Sequence, residues 1–542
     1  MSKIWENNFS KFLIYVTGVS LGLFVIIFSF INPLLNEIVK QKIINSVNKN
    51  RNNKLSIEKV HFIPSLNRLF VSNLYFRYIN SNDKKSDSVI VKFPLVSIGG
   101  INWPKLISGS GYSFTELRLE KPMIIIRKET GEMKKGKKVS DENQSWGKQL
   151  SEAFPKEIKT LKIAKINVES GKFIYQCKTT RENITDTINS ISLVISNLAP
   201  SDTTKNLSLF DNFKLKLKGF HRRWNKSGYD FKVNNIEASS QNSFLKIDSL
   251  SFLPFINDKE FFNRREYRSD RWKVKLPGLS LQEINFQKIL TQNIISIKDF
   301  TIANFHIEIF TNKRLPPDPQ ADPQMPHEIV SSLNFGIESR KIKVDTGVII
   351  LQSLMPDVDR RAQLVFNNIS GSISNISNNP NVQNKKNPCV IDLSAKLQNS
   401  ENINIKMNLP LLADNLSLNY RGSLDEMSAK KLNSHVEVED LIRIKSGEIT
   451  KISFDTEVKN SIATVNIIPL YSDLKIEALD KEAKGKSSLQ SAVINAVIRK
   501  SNPNENGKIK SGNIAYIRKP KDAFLDVVWQ ALLKGLGDVV GF

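Results

Sequence analysis

From Leu55 onward the chain alternates apolar and polar residues with a period of two. That spacing sends successive side chains to opposite faces of a strand, one face shielded and the other in water. LSIEKVHF (55–62), LFVSNLYF (69–76), FTELRLEKPMIIIRK (114–128) and LKIAKINVESGKFIY (161–175) are short runs of this kind, separated by polar or Gly turns. Phe213, Leu215 and Leu217 alternate with Lys214, Lys216 and Lys218; Ile403, Ile405, Met407 and Leu409 alternate with Asn404, Lys406 and Asn408. These seven apolar residues are the candidates for lining a shielded face. The pattern predicts a mainly β protein of successive, largely antiparallel strands.

The two ends of the chain depart from that period. Residues 12–35, FLIYVTGVSLGLFVIIFSFINPLL, carry no charged side chain. As a helix they would measure about 30 Å or a little more, the thickness of a bilayer's hydrocarbon core. The run is longer than a signal-peptide core and no small-residue cleavage site follows it, so an uncleaved anchor is expected, with Phe12, Leu13, Leu21, Leu23, Phe24, Ile26, Ile27 and Phe28 in the bilayer. Leu34 to Val47 then shows helical spacing, either lying on the membrane surface or packed on the first strands.

At the other end FLDVVWQALLKGLGDVV (524–540) puts Asp526, Gln530, Lys534 and Asp538 on one stripe and apolar residues nearly everywhere else. A face that broad must bury itself against the sheet, a membrane surface or a partner. Leu525, Trp529, Leu532 and Leu536 are its candidate contact residues.

Between the ends, three stretches break the alternation. Residues 128–145 are charged and turn-rich, 315–326 (LPPDPQADPQMP) contain five prolines, and 375–388 are Asn-rich with few apolar residues. The expected organisation is therefore 1–36 tail and anchor, 37–314 first strand region with its juxtamembrane helix, 315–326 stiff connector, 327–520 second strand region and 521–542 terminal helix. Weak repetition accompanies it: Phe154-Pro155-Lys156-Glu157-Ile158 leads to Ser170-Gly171, and Met325-Pro326-His327-Glu328-Ile329 leads to Thr346-Gly347. The hexapeptide I-K-S-G-x-I stands at 444–449 and again at 509–514, each glycine suiting a turn or bulge.

A net charge of +24 over 542 residues allows an anionic partner. The charges are spread along strands with no basic stripe interleaved with aromatics, which argues against nucleic acid. Two cysteines, Cys177 and Cys389, are too few for a disulfide framework. No zinc spacing, H-E-x-x-H or G-x-S-x-G occurs, and GEMKKGKK (131–138) fails as a phosphate loop because Lys138 stands where Ser or Thr is needed. No catalytic residue, cofactor or metal ligand is expected, and the protein is not expected to be an enzyme. His221-Arg222-Arg223-Trp224 and Arg264 to Trp272 place Arg beside aromatics, fitting either phosphate headgroups or a salt-bridged surface. Lysines after the apolar run outnumber those before it, which by positive-inside counting puts the body in the cytoplasm; long domains escape that rule.

One amino-terminal span, a short helix and strands beginning LSIEKVHF and LFVSNLYF resemble the start of AsmA-like proteins. The order LNYRGSLDEMSAKKLNSHVEVEDLIRIKSGEITKISFDTEV, IIPLYSDLKIEAL and GNIAYIRKPKDAFLDVVWQALLKGLGDVVGF is similar to the Bacteroidetes type of that family, which is related to TamB-like and bridge-like lipid transfer proteins. The resemblance implies an inner-membrane anchor with the body in the periplasm. It further implies a long, curved, repeating β-groove carrying phospholipid toward the outer membrane. At roughly 20 residues per strand and turn this length gives some two dozen strands, and at about 4.8 Å per strand the sheet would measure on the order of 100 Å. That is short for crossing the periplasm unaided, so a protein partner at the far end is expected. The alternative is a membrane-anchored scaffold or regulator of envelope assembly with a closed β-sandwich body, since periodicity alone leaves sandwich, barrel and open trough equally available.

Overall fold

The computed structural model describes residues 36–49, 52–82, 85–108, 110–129, 161–179, 182–199, 210–384, 386–480 and 498–541. Twenty-four strands lie among them, paired largely antiparallel, and the protein is mainly β as its period of two requires. The anchor expected over 12–35 lies outside the described residues, as does most of 128–145. Among the described residues no helix is long and apolar enough to cross a membrane.

The chain forms two compact units, residues 1–251 with 280–296, and 252–279 with 297–542. Their boundaries fall inside three strands, Phe244–Pro254, Asp270–Ile284 and Ile294–Ile302, while the proline-rich 315–326 lies within the second unit.

The first unit begins with the helix Asn36–Asn48. Its Ile44 and Val47 pack on the core, and Asn48 clamps Leu55 by accepting from its N–H (2.6 Å) and donating to its carbonyl (3.1 Å). Of the two placements open to this helix, the structure has it packed on the first strands. Next, Asn53–Ser56 and Lys59–Ile63 pair end to end along Arg68–Asn82, which pairs with Lys85–Gly99. Tyr112–Glu120 and Met123–Glu129 share one line, antiparallel to Lys85–Gly99 and parallel to Leu161–Lys178. That parallel pairing requires a crossover between Glu129 and Leu161. Asn183–Leu198, Asn212–Trp224 and Tyr229–Ser239 then follow in antiparallel succession.

The second unit contains the same device of a long strand paired with two shorter ones, Arg361–Ser377 against Val348–Leu354 and Gly336–Val344. From there Cys389–Leu397, Asn402–Leu409, Leu418–Leu424, Ile442–Lys459, Ile462–Ala478 and Gly512–Ile517 are each antiparallel to the next. Asparagine explains how the turns are made. Asn67, Asn293 and Asn460 hold left-handed backbone (φ 45°, 56° and 50°), which Asn tolerates better than most residues. Asn102, Asn257 and Asn285 cap short helices by accepting from the N–H of Lys105, Glu260 and Lys288.

The repeated hexapeptide plays two different parts. Gly447 sits at φ 143° in a bulge of Ile442–Lys459, where the register shifts between Ser446 and Glu448. Gly512 instead opens an edge strand against the terminal helix Phe524–Val540, and a Cβ there would collide with the carbonyl oxygen of Gly535. The recurrence is one of local chemistry, since the same small residue serves a bulge once and a close helix approach once.

Gly512→Val should therefore pry the terminal helix from the sheet, at a cost of about 1–3 kcal/mol or more. The measurement is a thermal melt with limited proteolysis: a lowered midpoint and early cleavage within 518–541 are expected, whereas an unchanged melt would contradict this contact.

Candidate functional site

The feature that combines the chain's chemistry is the apolar face of each unit, built by strand register. In the second unit, Ile342, Ile373, Ile391, Met407, Tyr420, Thr456, Val465 and Ile514 stand opposite one another across eight strands. A neighbouring row on the same face runs Leu393, Ile405, Gly422, Phe454, Ile467, Gly512. The alternate rows are polar: Ser372, Asp392, Lys406, Arg421, Asp455, Asn466, Asn513. One face is thus apolar across all these strands and the other is wet, because every register is set so that the period of two stays in phase.

Burial along the apolar face is graded. Val465, Ile467, Ala463 and Tyr420 are buried beneath the terminal helix, whose Phe524, Val528, Leu532 and Leu536 pack on this core and whose Val528 carbonyl accepts from the Tyr420 hydroxyl at 3.1 Å. Met325, at the end of the proline-rich segment, is buried in the same cluster. Moving toward the start of the unit, Ile405, Leu393, Ile391, Ile373 and Ile342 are only half-buried. Apolar side chains there have strand neighbours beside them and no second layer among the described residues that covers them fully.

The first unit has the same gradient. Val71, Val96, Leu119, Val168, Leu193 and Leu215 form one cross-strand row. Val71 and Val96 are buried, whereas Leu119, Val168, Leu193 and Leu215 are half-buried. Phe213, also half-buried, meets the ring of Phe286 edge-on at 5.1 Å.

The candidate lining residues therefore fall on the apolar faces. Phe213, Leu215, Ile403 and Ile405 are half-buried, and Leu217, Met407 and Leu409 are buried. On the terminal helix, Leu532 and Leu536 pack inward, but Leu525 (68 % exposed) and Trp529 (37 %) face out. The helix uses its smaller residues, Val527, Ala531 and Gly535, for the closest approach to the sheet. The anchor residues Phe12, Leu13, Leu21, Leu23, Phe24, Ile26, Ile27 and Phe28 lie outside the described residues.

The arginine clusters are salt-bridged. Arg223 makes two hydrogen bonds of 2.7 Å to Asp230, with His221 at 3.0 Å from the same carboxylate. Burial pushes the Asp230 pKa up, but the hydrogen bonds from Arg223 and His221 outweigh it and hold the carboxyl below its ordinary range. Arg265 lies over the Phe261 ring at 3.3 Å, and Arg271 pairs with Asp258 at 3.0 Å.

Arg271 is itself buried, and Arg222 likewise faces inward. It holds Asp186 in a two-pronged, buried pair (2.5 and 2.6 Å) on the apolar face, in register with Tyr175. Sequence reading missed this pair, although the signal was present: Phe220, Arg222 and Trp224 share one parity, as do Ile184, Asp186 and Ile188.

Both cysteines are free. Cys389 is buried on the second unit's apolar face, where burial pushes its thiol up to about 11, leaving a protonated, unreactive side chain at neutral pH. Among the described residues no group of His, Cys, Asp and Glu is arranged to hold a metal ion. A cavity of about 470 Å³ at strand ends of the first unit is lined by Arg77, Arg127, Gln176, Lys178 and Thr185 among others. No protein-family model and no curated protein matches this chain.

Two outcomes follow from these groups. Arg222→Met should destabilise the first unit by about 3–5 kcal/mol, because Asp186 is left charged and buried, and Asp186→Leu with Arg222→Met should regain most of it; denaturant melts of both variants decide the matter. Asp230, whose folded pKa is depressed, contributes stability above the ordinary carboxylate range near about 4 that is lost as pH falls through its lower folded pKa. Asp230→Asn should accordingly flatten the acid limb of a stability–pH curve, and an acid limb identical to the parent's would refute the assignment.

Proposed function

We propose that this chain is a membrane-anchored, non-enzymatic carrier of phospholipid, in which acyl chains lie on the half-buried apolar faces of the two units while headgroups remain in water. The observation that carries the reading is the gradient of burial. In each unit an in-register apolar row passes from buried to half-buried side chains, so that aliphatic surface is organised but not fully covered. Ordinary cores close such rows with a second layer, and a large organised apolar surface left short of cover marks a binding surface. An acyl chain supplies suitable cover, since each buried methylene contributes about 0.8 kcal/mol and demands no hydrogen bond. Low specificity along the row follows, because aliphatic contacts are non-directional.

The resemblance to AsmA-like proteins supports the remainder: an anchor at residues 12–35 in the inner membrane, a body in the periplasm forming a groove, and delivery toward the outer membrane. In that reading the Asp186–Arg222 pair is a polar mark on an apolar track, and Leu525 and Trp529 remain exposed for a protein partner. The competing scaffold reading needs the half-buried rows to be closed by protein.

Photocrosslinking on the full chain in its membrane separates the two. A benzoylphenylalanine at Ile391, Ile405, Leu193 or Leu215 should capture phospholipid, and one at Lys406 or Lys214 on the opposite faces should not. Adducts absent from the apolar positions, or equal on both faces, would contradict lipid carriage. Ile405→Glu should fold and lose the adduct at Ile391, whereas Val465→Glu, beneath the terminal helix, should unfold the second unit.

A further inference from the structure

Two loops of the first unit are locked together and present apolar side chains to solvent. The turn Pro64–Leu66 ends on Asn67, and the short helix Trp103–Ile107 follows Asn102. Asn67 donates to the Ile101 carbonyl (3.0 Å) and accepts from the Trp103 indole N–H (2.8 Å), while Phe62 meets the Trp103 ring edge-on at 5.2 Å. On this braced platform Leu66 is 61 % exposed and Ile107 75 % exposed. The bracing holds both aliphatic side chains in water on two joined loops, where they are available to an apolar partner.

Charge and chain direction identify what covers it. Residues 59–68 and 99–112 contain Lys59, Arg68 and Lys105 and no Asp or Glu. Arg68 is paired with Glu116, while Lys59 and Lys105 are exposed. The helix Asn36–Asn48 is fixed at Asn48 to Leu55, and Lys40 reaches the Glu58 carbonyl at 2.7 Å. Read backward, it therefore advances along the same line as Asn53–Ser56 and Lys59–Ile63, toward the end that carries Leu66. Asn36, the first described residue, lies on that side.

We infer that this loop pair docks on the surface of an anionic bilayer, with Leu66 and Ile107 entering the acyl boundary and Lys59 and Lys105 among the headgroups. Apolar insertion combined with nearby cationic side chains is how peripheral segments hold an interface. Docking would fix the tilt of the first unit on its membrane, which a single span through a helix would leave free. The inference rests on reading residues 12–35 as an anchor.

The test uses the full chain, reconstituted into vesicles of phosphatidylethanolamine and phosphatidylglycerol, with Cys177→Ser and the buried Cys389 left in place. An environment-sensitive nitrobenzoxadiazole probe is attached at Leu66→Cys, at Ile107→Cys, or at Lys216→Cys, whose side chain is 64 % exposed on the polar side of the strand Asn212–Trp224. At 66 and 107 the emission should shift to the blue, spin-labelled lipid should quench it, and iodide quenching should fall by about threefold or more relative to 216. A chain that floats with the vesicles while all three probes behave alike overturns the docking and leaves the anchor standing. A chain that does not float overturns both.

Discussion

The structure depends on keeping one face of each strand from water over a very long run of strands. A period-two sequence commits every strand to one apolar face, and antiparallel succession keeps those faces on the same side only if each register is in phase. Rows such as Ile342 to Ile514 meet that condition across eight strands. A slip of one residue would place Lys406 and Asp392 among isoleucines, so register here is a strong constraint.

The chain covers those rows unequally. A fully buried Leu, Ile or Phe contributes about 1.5–3 kcal/mol relative to leaving it exposed, and the residues beneath the terminal helix obtain that stabilisation from protein. Ile373, Ile391 and Ile405 obtain only part of it. The remainder is available to any aliphatic ligand that can lie along the row. One part of the second unit is thus covered by its own chain and another part is not, and the first unit repeats that division between Val71 and Leu215.

Much of this was legible in the sequence for a simple reason: alternation is local. LSIEKVHF and Phe213-Lys214-Leu215 announce strands without reference to anything distant, and the number of strands follows from the length. The parallel pairing of Tyr112–Glu120 with Leu161–Lys178 was not legible, because it depends on a crossover whose path the period does not encode. Nor was the gradient of cover, which depends on where a helix whose Val528 lies 108 residues from Tyr420 in sequence comes to rest against it. Arg222 shows a finer limit. Its parity placed it on the apolar face, but only the register of Asp186 opposite makes a buried arginine sustainable. On the terminal helix Leu525 and Trp529 face out while Phe524, Leu532 and Leu536 pack inward, and the backbone comes closest to the sheet at Gly535, a division that depends on where the helix lies.

The central claim is that the half-buried rows are a lipid-binding surface and not an unfinished core. The most direct measurement is an electron cryomicroscopy map of the full chain in native lipid. The account predicts elongated, protein-free density lying on Ile373, Ile391 and Ile405 in the second unit and on Val168, Leu193 and Leu215 in the first. Side chains from another part of the chain filling those rows, with no lipid density over them, would contradict it.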